Sequence, residues 1–112
     1  MMMFATIFDE VAAEAARGEA KHGPLGTCAG RPISSAPSPR LCAVAGGLEA
    51  LARLDLEELP TVAAILAEEV GEALTASDTE ALRGELVQVA AVAVRWIALI
   101  DHGRARELGE GR

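Results

Sequence analysis

Residues 56–76 read LEELPTVAAILAEEVGEALTA, and their apolar side chains recur at helical spacing. Val62, Ile65, Leu66 and Ala73 fall along one stripe. Pro60 is expected near the first turn of this helix, where proline is tolerated. The stripe is not purely apolar. Glu69 stands four residues after Ile65 and four before Ala73. Glu72 follows three residues later and shares much of the same face. A helix that turns carboxylates towards its own packing face needs a reason.

The next segment supplies one. ASDT at 76–79 reads as a tight turn, and Ser77 with Glu80 as a capping box. A helix over about 78–102 should follow, with Leu82, Leu86, Val89, Ala93, Trp96 and Ile100 at heptad-like spacing and Gly103 as its stop. Residues from 103 onward read as a frayed tail. Glu85 lies three residues after Leu82 and four before Val89. Gln88 lies three further on and four before Val92. Glu69 and Glu85 are each eight residues from Ser77, about 12 Å along their helices at the usual rise. In an antiparallel pair, the two polar sets should therefore face each other. Crowded carboxylates repel and their pKa values rise. A hard divalent cation, Mg²⁺ or Mn²⁺, would remove that penalty. The competing reading is that helical glutamates are solvated, and it weighs most for Glu68.

Elsewhere the chain is simpler. FATIFDEVAAEAARG, residues 4–18, places Phe4, Ile7, Phe8, Val11 and Ala15 on one helical stripe. Residues 22–40 are rich in Gly, Pro and Ser and read as a loop. LCAVAGGLEALARL, residues 41–54, reads as a short helix weakened by Gly46 and Gly47. No strand pattern stands out. These features predict one all-α domain over residues 1–112, an antiparallel helical bundle. At 112 residues such a bundle gains from a partner subunit that completes its core.

Composition excludes several classes. Net charge is −7 and Lys21 is the sole lysine, which argues against nonspecific nucleic-acid binding. The N-terminal residues lack the pattern of a signal peptide. VAAVAVRWIALI, the longest apolar stretch, reads as too short for a membrane span and contains Arg95. A cytoplasmic location is the expectation. Cys28 and Cys42 fit no metal-finger spacing, so free thiols are expected.

EEVGE, a gap of 12 residues, then ELVQ resembles the EExxE…ExxD signature of the MazG-like all-α nucleoside triphosphate pyrophosphohydrolases. AKHG after the first helix, ILAEEVGEAL, and LRGELVQVAAVAVRWIALID look like the short actinobacterial and phage members. The resemblance covers roughly residues 4–23 and 60–102. It implies a homodimer or homotetramer that cleaves a nucleoside triphosphate to monophosphate and pyrophosphate with Mg²⁺. By position it implies Glu69, Glu72, Glu85 and Gln88 as metal ligands. Glu68 and Glu69 take the catalytic positions, with Glu68 an outer ligand or the group that orients or deprotonates water. Gln88 departs from the family's Asp. An amide carbonyl can meet a cation but adds no charge and cannot act as a base. This leaves open a weak or inactive relative that binds a nucleotide or a protein. Lys21 and Arg95 are candidate substrate contacts, each with an ordinary solvated charge as its alternative. Trp96 reads as core or subunit interface, and His102 as a cation near a helix C-terminus.

Overall fold

The computed structural model describes residues 2–107. Four α-helices and one small hairpin follow in the order α1 (Met2–His22), β1 (Thr27–Cys28), β2 (Arg31–Pro32), α2 (Pro39–Glu58), α3 (Val62–Leu74) and α4 (Thr79–Glu107). The all-α expectation agrees with this, save for the hairpin. The 22–40 loop had shown no strand signal, yet Thr27 pairs with Pro32 and Cys28 with Arg31 in antiparallel register. The turn between them places Ala29 at φ 53° and Gly30 at φ 77°. Two consecutive positive φ values suit the twist of a two-residue hairpin. Only Gly30 announces that in the sequence, because alanine rarely takes such a backbone.

The helix boundaries follow the caps. Ser38 Oγ accepts from the Leu41 N–H at 3.2 Å, and Pro39 takes a first-turn position. Helix α2 therefore starts two residues before the short helix expected at 41–54, and it runs four residues past that helix at the other end. Its exposed Gly46 and Gly47 each cost about 1 kcal/mol. Ala45 and Ala52, both buried, help to hold α2 against α3. Leu59 leaves the helix with extended backbone, as a residue before proline must. Pro60 therefore stands just before the α3 cap, near the first turn as expected, and LEE at 56–58 ends α2. Thr61 caps α3 by accepting from the Ala64 N–H at 3.0 Å.

Two further expectations change at α4. Its cap is Asp78, not Ser77: Asp78 Oδ1 accepts from the Ala81 N–H at 2.8 Å. A carboxylate there also meets the positive end of the helix dipole. Gly103 does not stop the helix, which runs through it to Glu107; one glycine weakens a helix without ending it. At 29 residues α4 exceeds what the apolar run alone suggested. Over Thr79–Arg104 it is long and apolar enough to cross a membrane by length and composition, which corrects the earlier reading on length. The expected tail falls partly on α4; residues 108–112 lie outside the described part.

In space the helices follow the order α2, α3, α4, α1, each touching the next. Ile7 of α1 packs with Val94 and Ala98 of α4, flanked by Phe4 and Ile97. The heptad set is only partly inward: Val89, Ala93 and Trp96 are half-buried, while Leu86 and Ile100 are exposed. On α1, Phe8 is 57% exposed and Val11 46%. The layer is open. Its radius of gyration is 16.7 Å, against about 13 Å for a compact domain of this length. Its surface is 8565 Å², against about 5,800 Å² for a compact monomer of this mass.

Candidate metal centre

Helix α3 has two working faces. Glu68 and Gly71 meet α2; Val62 and Ile65 share a pocket with α4 side chains, and Glu69 and Glu72 face Glu85 of α4. The α2 contact is close because Gly71 lacks a side chain. A Cβ there would lie 2.8 Å from Glu49 Cβ and 2.9 Å from the Ala45 carbonyl oxygen. Next to it, Arg53 of α2 places Nε 3.8 Å from Glu68 while its Nη2 donates to Glu49 at 2.7 Å. Cys42 closes the other end of this contact by donating to the Leu74 carbonyl at 2.9 Å. Both cysteines are free, as expected.

Across the other face, Glu69 and Glu72 of α3 converge with Glu85 of α4. Each offers one carboxylate oxygen, and the three oxygens lie within 4.8 Å of one another. Read backward along α3, Ile65 and Val62 come next. Read forward along α4, Val92, Arg95 and Leu99 come next, and these five line a common pocket. The pair is thus antiparallel, which is why positions equally distant from the turn meet.

The electrostatics follow from this placement. All three carboxylates are half-buried, and Glu69 Oε2 is buried with no hydrogen-bond partner. Burial first, then the charges of Glu85 and Glu68, raises the pKa of Glu69. Burial, then Glu69 and Glu85, pushes Glu72 up to about 7. The donor set is all hard oxygen, and the orphaned, protonation-prone carboxylates fit a small divalent cation.

This arrangement fixes the sign of a pH effect. A carboxyl whose folded pKa exceeds its unfolded value holds its proton more tightly when folded. Protonation then favours the fold, and stability is lost as pH rises from about 4.5 towards about 7. The metal-free protein should lose on the order of 2 kcal/mol across that window. Glu72→Gln should flatten the loss, and so should saturating Mg²⁺. Thermal unfolding of the three samples at pH 5 and pH 8 checks this; an equal pH loss in Glu72→Gln would remove Glu72 as its source.

The other singled-out residues sit apart from the trio. Glu68, its side chain 24% exposed, turns to Arg53. Gln88, one turn beyond Glu85, is exposed and makes no hydrogen bond with the described residues. Lys21 and His22 are exposed in the last turn of α1. Arg95 is exposed, lines the pocket just described, and forms no ion pair with a described residue. Arg53 is the addition that sequence reasoning missed. Its only signal was Glu49 four residues earlier, in a segment too Gly-rich to read as a long helix. Comparison with family models, with curated proteins and with solved structures found no match.

Proposed function

We propose that the chain is a Mg²⁺-dependent nucleoside triphosphate pyrophosphohydrolase of the MazG-like kind, acting in nucleotide-pool control or housecleaning. The convergence of Glu69, Glu72 and Glu85 within 4.8 Å carries this reading. The resemblance of EEVGE and, save for Gln88, of ELVQ to the family signature gives it its substrate class. Glu69, Glu72 and Glu85 would hold the cation, with the Gln88 carbonyl as a weaker fourth donor. When bound, Mg²⁺ supplies charge neutralisation at the phosphate oxygens and a more acidic water.

The chain's own groups do the rest. In the hydrolysis, a water oxygen bonds to phosphorus and the P–O bond bridging the α and β phosphates breaks. Pyrophosphate and a monophosphate leave, and one proton remains to be taken up. Glu68 is the candidate acceptor: it adjoins Glu69 in sequence yet stays outside the trio, with Arg53 Nε 3.8 Å away to hold its orientation. Lys21 and Arg95 are the candidate substrate cations. Such an enzyme works in the cytoplasm.

The proposal includes a homodimer or homotetramer. The exposed Phe8, Val11 and Val87 and the large surface of the open layer support it. Light scattering at micromolar concentration should give at least twice 11.6 kDa, and a sharp monomer mass would count against the assembly.

The deciding assay incubates the protein with ordinary and modified nucleoside triphosphates, with and without Mg²⁺, and detects pyrophosphate. Metal-dependent release that is lost in Glu69→Ala and Glu85→Ala supports the enzyme. Gln88, neutral and exposed, keeps a second reading in play: a helical dimer that binds a nucleotide or a protein without efficient turnover. Metal-dependent nucleotide binding with no pyrophosphate favours that reading for a nucleotide. No nucleotide binding and no response of stability to Mg²⁺ sinks the pyrophosphohydrolase.

A further inference from the structure

The groove between α3 and α4 does not end at the acids. Ile65 and Val62 lie one and two turns back from Glu69. Val92, Arg95 and Leu99 lie two to four turns on from Glu85. Together they line a pocket of about 150 Å³. At the usual helical rise its centre is about 13 Å from the three carboxylates. One end of the groove is thus anionic and suited to a cation. The other is apolar with one guanidinium. Arg95 forms no hydrogen bond or ion pair with a described residue, so its donors are available to a ligand.

We propose that this pocket receives the nucleobase, and that Arg95 selects a base with two neighbouring acceptors, guanine above all. The inference rests on the pyrophosphohydrolase reading for the placement of the phosphates. Spacing supports the pocket, since the ribose and the phosphates nearest it would bridge the gap to the acids. The four aliphatic walls suit the faces of a flat ring. Charge complementarity supports the choice of base. A guanidinium carries donors only, in a planar fork. Guanine presents O6 and N7 side by side as acceptors, the pairing that arginine meets with two hydrogen bonds. Adenine presents a donor beside N7 and would set N–H against N–H.

The test compares guanine and adenine nucleotides, ribo and deoxy. Pyrophosphate release with Mg²⁺ gives kcat/KM, and calorimetry with α,β-methylene analogues gives affinity without turnover. Wild type should prefer guanine by roughly 5- to 150-fold, the range one bidentate contact supplies. Arg95→Ala should collapse that ratio towards one. Arg95→Lys should not restore it, because an ammonium keeps the charge and loses the fork. Circular dichroism should match wild type for both variants, as Arg95 is exposed and unpaired in the fold. Turnover with no guanine preference, or a preference indifferent to Arg95, overturns this proposal and leaves the hydrolase standing. Guanine-selective, Arg95-dependent binding without pyrophosphate upholds the pocket and rejects the chemistry. No nucleotide binding overturns both.

Discussion

Glu69→Gln should abolish Mg²⁺-dependent pyrophosphate release and at the same time raise the melting temperature of the metal-free protein. The two effects share one cause. Glu69 stands between Glu72 and Glu85, half-buried, with one oxygen unpaired. Without a cation its charge is a liability, so a neutral isostere relieves both neighbours. The relief should be on the order of 1 kcal/mol, or about 4 °C or more for a domain of this size. With the cation, that same charge is needed. Groups one layer outside a metal site already affect affinity or activity by about 10- to 100-fold, so a direct ligand should cost at least about 100-fold. Wild type should also gain stability from Mg²⁺ by mass action, and Glu69→Gln should gain much less. A purely structural role predicts the opposite sign for the melting temperature. Unchanged pyrophosphate release in Glu69→Gln would remove the trio from the chemistry.

The trio was legible because it rests on two strong regularities. Helical period places Glu69, Glu72 and Glu85 inside apolar stripes, and a short turn forces the two helices together. What escaped the sequence depended on weaker or tertiary signals. The full length of helix α2 was hidden by Gly46 and Gly47, whose propensity cost is outweighed by burial of Ala45 and Ala52 that only the fold reveals. Its cap at Ser38 and Pro39 was present in the sequence, but inside a run so rich in Ser and Pro that it read as loop. Asp78 and Ser77 are both good capping residues, so residue type alone does not choose between them, and the fold uses Asp78. The inward face of α4 was blurred because α4 serves two neighbours. Glu85 and Val92 look to α3, whereas Val94 and Ala98 look to α1. A single heptad stripe cannot describe a helix packed on two sides. Arg53 already lay in the helix expected at 41–54, but its approach to Glu68 depends on how α2 packs on α3.

That last point makes α2 part of the site, and Gly71 is where this can be tested. Gly71→Ala would gain about 1 kcal/mol of helix propensity. Its Cβ, however, would sit 2.8 Å from Glu49 Cβ and 2.9 Å from the Ala45 carbonyl oxygen. Neither atom can rotate away: one is backbone and the other is fixed to it. Overpacking of this kind costs about 1–3 kcal/mol, so alanine should come out near neutral to moderately destabilising. Valine adds two methyls to the clash and, being β-branched, keeps less of the propensity gain. Gly71→Val should therefore lose roughly 2–3 kcal/mol, a fall of about 10 °C or more. Gly46→Ala is the control. It lies in α2 with nothing within 4 Å of its would-be Cβ, and it should stabilise by up to about 1 kcal/mol. The functional consequence follows from position, since Gly71 lies beside Glu72 and three residues from Glu68. Pushing α2 away should separate Arg53 from Glu68 and shift the backbone that aims Glu72. Mg²⁺ affinity should then fall in Gly71→Val even at temperatures where it remains folded. Equal stability of Gly71→Val and Gly46→Ala would mean that α2 does not press on α3, and the part assigned to Arg53 would fall with it.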